Sequence, residues 1–262
     1  HKILKMKKIN LIMLMLFSIA ISAQSIMNNT YLDVPLNKVN DFLELHKKVV
    51  DMSNGEGRTI GNHWVYRHWY GNDHSIMLGD IYPSAEAAVK DDFWGVLNKN
   101  IDALPDDKKK EMQDVVGKWW AYHNNHTDEM RSVDWEKNWL GKENLDLDIP
   151  YVFVVGSYNS NAGNQEMIDA YIEWSVKPGV EKGVMLYGGG TSHFIGSGSD
   201  VQLWSAYTDI AAFAEANGPN SQSNSEAAPK FWNLVEGAHS DQIYIHVGHT
   251  IEKKFNLAGK DK

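Results

Sequence analysis

Residues 119–130 read WWAYHNNHTDEM, and residues 231–243 read FWNLVEGAHSDQI. In each, an aromatic is followed seven positions later by His, then by Ser or Thr, Asp, and Glu or Gln. Placing Trp119 on Trp232 puts His126 on His239 and Asp128 on Asp241, at an offset of 113 residues. A pattern restated at long range is the mark of an internal repeat, and missing one misassigns the whole fold.

Outward from this signature the correspondence continues. DIYPSAEAA at 80–88 matches SAYTDIAAF at 205–213, with Tyr82 on Tyr207 at an offset of 125. The same offset puts His68-Trp69 on His193-Phe194 and Gly71 on Gly196. The offsets differ because the first half carries extra helix between Asp91 and Lys118. Each half also opens on a β-branched and aromatic run, NTYLDVPL at 29–36 and PYVFVVGSY at 150–158. Three matches in one order predict a duplicated chain.

Each half reads alike in secondary structure. An opening strand precedes an amphipathic helix, marked by Val39, Phe42, Leu43 and His46, or by Met167, Ile168, Tyr171 and Ile172. Pro178-Gly179 is expected to end the second of these helices. Strands follow near 60–70 and 74–82, and near 184–195 and 200–207, with turns at 71–73 and 196–199. A second helical region starts at Ser84 or at Thr208–Asp209, both suitable N-caps. A last strand follows the His-containing signature. The order is β-α-β-β-α-β twice, the split βαβ or ferredoxin-like plait.

The expected fold class is therefore α+β, two tandem ferredoxin-like repeats forming a pseudo-dimeric α/β barrel. The expected boundaries are a leader over 1–23, repeat 1 over 24–133, a linker over 134–149 and repeat 2 over 150–262. The strand-to-helix junctions and the terminal His-Ser-Asp-strand step resemble the dimeric α/β-barrel superfamily, in particular antibiotic-biosynthesis-monooxygenase-like domains. The resemblance implies two sheets packed face to face, with pockets between sheet and helices. It also implies a range of activities: cofactor-free oxygenases, haem enzymes and proteins with no known activity. A fold does not choose among these.

The signature itself has a plain structural reading. Asp128 and Asp241 can accept backbone N–H groups in the turn before the last strand, and His126 and His239 can bridge helix end and sheet.

Composition bounds the function. Lys2, Lys5, Lys7 and Lys8 precede the apolar run INLIMLMLFSIAIS and small residues, the form of a secretory signal peptide cleaved near Ala23. An exported protein, periplasmic or extracellular, is expected. Without those lysines the chain carries 21 Lys and Arg against 34 Asp and Glu, which disfavours nucleic acid and anionic membrane as partners. There is no cysteine, so disulfides and thiolate metal sites are excluded.

The candidate pocket comes from strand alternation in NHWVYRHWYGNDH at 62–74. Trp64, Tyr66 and His68 share one face. Their repeat equivalents are Gly189, Thr191 and His193, so one copy of the face is filled and the other emptied. Unfilled interior volume must be taken by neighbours, a ligand or a backbone shift. The expected site is a pocket bordered by Gly189, Thr191 and His193, taking a small apolar or aromatic molecule. The alternative is a bulge or close backbone approach at the glycines.

For metal, His123 and His126 share a helical face, whereas His246 and His249 on a strand are expected on opposite faces. No metal site and no cofactor are expected, with haem on a single His as a minor alternative. The sequence thus supports a binding protein of unknown activity, or alternatively a cofactor-free or haem-dependent oxygenase-like enzyme.

Overall fold

Strand β1 (Ser25–Leu32) opens the structure, a computed structural model that describes residues 24–71, 74–143, 145–218 and 226–259. The expected leader over 1–23 and most of the loop at 217–229 lie outside the described residues. After β1 come helix α1 (Val39–Met52), β2 (Asn62–Tyr70) and β3 (Ile76–Tyr82). Helices α2 (Ala85–Lys90), α3 (Phe93–Asp102) and α4 (Asp106–Trp120) lead to β4 (Thr127–Val133) and the short β5 (Trp139–Gly141). The second segment runs β6 (Val152–Ser160), α5 (Asn164–Tyr171), α6 (Lys177–Glu181), β7 (Tyr187–Gly196) and β8 (Val201–Tyr207). It ends with α7 (Ile210–Asn217), α8 (Ala228–Trp232), β9 (Val235–Ile251) and β10 (Lys254–Leu257).

The strands form one closed sheet. The order β9-β2-β3-β1-β4-β7-β8-β6 returns to β9, and every pairing is antiparallel. This corrects the expected fold class. Two tandem ferredoxin-like repeats with sheets packed face to face are not what the chain builds. It builds a closed eight-stranded antiparallel β-barrel, with β5, β10 and the helices added outside. The physical reason lies at the edges. A four-stranded sheet from either segment would leave rows of unpaired N–H and C=O groups. Pairing β2 with β9 and β4 with β7 satisfies both sets, and only closure removes edges altogether.

Strand alternation then sorts side chains into three cores. Leu32, Val65, Ile76 and Leu78 face outward, onto Phe42, Leu43 and Val49 of α1 and Met112, Val115 and Trp119 of α4. The α1 stripe Val39, Phe42, Leu43, His46 and Val49 has the spacing of a helix face turned to a sheet. Phe255 and Leu257 of β10 join this same core, so β10 packs on the first segment. Val152, Val201, Leu203 and Tyr207 face α5 and α8 through Met167, Ile168 and Phe231. Tyr31, Tyr66, Met77, Phe153, Val155, Trp204 and Tyr244 fill the barrel interior.

Local signals behave unevenly. Ser84 and Asp209 cap their helices, accepting from the N–H of Ala87 and of Ala212. Pro178-Gly179 does not end the helix as expected. A π turn over Ile172–Val176 runs straight into α6, with Val176 in helical conformation and the Lys177 N–H on the Ile172 carbonyl, so Pro178 lies within a continuous helix just after its widened turn.

Candidate active site

The first segment holds a cavity of about 280 Å³ between the outer face of the barrel and helices α1, α3 and α4. Its walls are aromatic: Phe93 and Trp94 from α3, Trp119 and Trp120 from α4. Trp94 meets Trp120 edge-on at 5.1 Å, and Trp120 stacks on His123 at 5.2 Å. Arg58 also borders the cavity, but its guanidinium is engaged by Asp91 at 3.0 Å and lies over the Phe93 ring.

A chain of hydrogen bonds crosses the polar side of this cavity. His63 on β2 lies directly across the ladder from Asp80 on β3, and both point outward toward the helices. His63 Nδ1 is 2.5 Å from Asp80 Oδ1, and His63 Nε2 is 2.7 Å from His46 Nε2 on α1. Trp119 Nε1 donates to His46 Nδ1 at 3.0 Å.

The directions follow from the chemistry of the end groups. An indole N–H can only donate, so His46 Nδ1 accepts. Neutral His46 then carries its proton on Nε2 and donates to His63. That leaves the His63 proton on Nδ1, donated to the Asp80 carboxylate. Burial, reinforced by His63 and His123, holds the His46 pKa well below its ordinary value, which keeps this ring neutral. Every donor in the series Trp119, His46, His63 points toward Asp80. Asp80 itself retains 27% side-chain exposure, enough to meet a molecule in the cavity.

His123 and His126 complete the rim. His123 Nδ1 donates to the Trp119 carbonyl at 3.1 Å, and burial lowers its pKa. His126 bonds the His123 carbonyl through Nδ1 at 2.6 Å and sits 3.0 Å from Asp128 through Nε2. The other copy of the signature behaves alike: His239 lies 3.3 Å from Asp241 and stacks on Tyr158.

The residues expected to form a pocket do not gather in one place. Trp64 and Tyr66 point into the barrel, where they line an apolar cavity of about 130 Å³. The space beside Gly189 is filled. A Cβ there would lie 2.0 Å from the Asn138 carbonyl oxygen and 2.6 Å from the Trp204 ring. The pairing explains why. Trp64 faces Gly79 across β2–β3, and Gly189 faces Trp204 across β7–β8. The large residue has moved to the neighbouring strand, so glycine here accommodates a cross-strand Trp. Thr191 Oγ1 accepts from buried Arg131 at 2.7 Å. His193 is half-buried, with Nε2 3.0 Å from the Gly196 carbonyl, while His68 packs edge-on against Tyr244. Among the described residues, no contact joins His68 to His193.

His246 and His249 also differ from expectation. Both rings lie inside the barrel, with His249 Nδ1 3.2 Å from His246 Nε2 and the His249 ring stacked on Trp64. The cause is a break in the β2–β9 register between Val65 and Tyr66, which pairs Gly248 with the first and His246 with the second. One extra residue on β9 returns an i,i+3 pair to the same face. Among the described residues, no three His, Asp or Glu side chains are grouped to hold a metal ion.

Sequence reasoning missed His46, His63, Asp80 and Trp119. One signal was available: His46 interrupts an otherwise apolar helix stripe, and a buried polar side chain is the informative exception in a core.

The sequence matches no protein-family model and no curated protein. Solved structures do share the fold. An anthrone oxidase-like protein superposes with a TM-score of 0.55 at 14% identity, covering 93% of this chain and 97% of its own. A "putative monooxygenase" from Lactobacillus acidophilus gives 0.54 at 9% identity, with 90% and 97% covered. Another from Fusobacterium nucleatum gives 0.54 at 11%, with 86% and 95% covered. These proteins belong to the dimeric α/β-barrel superfamily that the sequence resembles. At such identities the likeness is one of fold.

Proposed function

We propose that this chain is an oxygenase-like enzyme that binds a small aromatic molecule between α1, α3, α4 and the barrel, and withdraws a proton from it through Asp80. One observation carries the reading: the directed series Trp119–His46–His63–Asp80, ending at a carboxylate in an aromatic-walled cavity. A fixed base beside a bound aromatic is the arrangement for general-base catalysis, worth about 10²–10⁴-fold. Proton loss makes an aromatic carbon or oxygen acid electron-rich, the state in which it gives electrons to dioxygen. The oxidase-like and monooxygenase descriptions of structures sharing the fold support that direction. Among the described residues, the helix–sheet interface of the second segment has no counterpart of His63 or Asp80. Gly188 and Ser205 pair there as His63 and Asp80 do in the first, and Val176 covers Gly188. We therefore read the segments as copies of one unit, of which the first has kept a polar site.

Anthrone in aerated buffer is the direct test. The protein should accelerate oxygen uptake, and Asp80→Asn should lower the rate about 100-fold. Quenching of tryptophan fluorescence by anthrone should persist in that variant. Absence of both quenching and oxygen uptake with the unaltered protein refutes the assignment.

A further inference from the structure

We propose that the barrel interior is a second binding site, separate from the helix-side cavity, and that it takes a single-ring phenol or a cyclic alcohol of similar size. The interior cavity of about 130 Å³ is walled by Trp64, Tyr66, Met77, Phe153 and Trp204. A cavity of about 150 Å³ with apolar walls is enough to hold benzene. Trp135, Leu145 and Leu147, between β4 and β6, pack over this interior core.

Two polar atoms make the cavity more than a packing defect. Asn29 Oδ1 and Trp204 Nε1 are both buried without a hydrogen-bond partner, and both residues line the cavity. Asn29 is 3% exposed and Trp204 5%. A buried polar atom left unpaired costs about 1–3 kcal/mol.

The orientation of Asn29 is set by its neighbours. The Glu129 carboxylate only accepts, so Gln202 turns its NH₂ toward it, at 2.5 Å. Gln202 Oε1 then accepts from Asn29 Nδ2 at 3.3 Å. That fixes Asn29 Oδ1 as the unused acceptor, beside Gly79. The Trp204 indole supplies the unused donor. A hydroxyl group both donates and accepts, so a phenol can answer both atoms while its ring fills the apolar space. A plain hydrocarbon answers neither.

Calorimetric titration with phenol and with benzene, on the full chain, tests this. Phenol should bind about tenfold more tightly than benzene, the worth of one to two net hydrogen bonds. At Gly79 a Cβ would meet Asn29 Oδ1 at 3.7 Å and Trp64 at 3.9 Å, ordinary contact distances. Gly79→Val should therefore occupy the cavity, abolish phenol binding and leave the melting temperature equal or higher. Trp204→Phe keeps a ring but removes the N–H. It should shrink the preference for phenol over benzene about threefold, one of the two hydrogen bonds being lost, which tests the site even if Gly79→Val does not fold. Trp204 lines the interior cavity and not the helix-side one, so a loss of phenol affinity in Trp204→Phe reports this site alone. Failure of phenol to bind means water alone answers the two atoms, and overturns the proposal. Phenol affinity left unchanged by both Gly79→Val and Trp204→Phe, or no preference for phenol over benzene, does so equally.

Discussion

Acid should unfold this protein through its buried histidines, and His246 allows the size of the effect to be worked out. Its ring stacks on Tyr151 at 4.5 Å and lies 5.5 Å from Trp64. Burial is the main force pushing its pKa down, to about 4; His249 lowers it further, against the raising effect of the Ile149 and Gly248 carbonyls. In the unfolded chain the value returns to about 6.5. Between these values the unfolded chain binds the proton and the folded one does not, so stability is full above about pH 6.5 and falls as pH drops toward about 4. Each unit in that window costs about 1.4 kcal/mol, so His246 alone removes about 2 kcal/mol between pH 6.5 and 4.5. Burial lowers His46, His123 and His249 as well, and all three act in the same direction. A domain has about 5–15 kcal/mol in all, so this loss is a large share. Urea unfolding followed by tryptophan fluorescence at pH 6.5, 5.5 and 4.5 measures it. His246→Phe lowers stability at neutral pH by removing the bonds to Ile149 and His249, but the slope is the readout. That slope should be shallower by about 1 kcal/mol per pH unit. An unchanged slope would show that His246 is not held neutral in the fold, and would refute the reasoning.

Gly189→Trp should destabilise the protein by about 3 kcal/mol or more, since even a Cβ collides with the Asn138 carbonyl and Trp204; a lower urea midpoint checks it. Arg131→Met should cost about 3–5 kcal/mol, because Glu129 is left charged and buried where Arg131 Nη1 had met it at 3.2 Å; urea unfolding again reports it. We propose that the chain is exported and cleaved near Gln24; intact-mass measurement that finds the apolar run still attached would refute cleavage.

Local chemistry was legible in the sequence. The helix stripes, the caps at Ser84 and Asp209, and the alternation of Trp64 and Tyr66 against His63 and Val65 follow from spacing alone. What spacing cannot carry is pairing between distant strands. A strand's two faces are written in its own residues, but its neighbours are chosen by every unpaired edge in the chain at once. So β2–β9 and β4–β7, the pairings that close the barrel, were decided only in three dimensions. The same limit governs the sites. Comparing Gly189 with Trp64 along the chain suggested an empty space, because the comparison could not see Trp204 reaching across from β8. The bulge in β9 that turns His246 and His249 to one side adds a single residue at Val247–Gly248, where Gly248 within the strand was the one local mark. His46, His63, Asp80 and Trp119 come from four separate elements. Only packing α1 and α4 onto the outer face of β2 and β3 brings a donor, two rings and a carboxylate into one line.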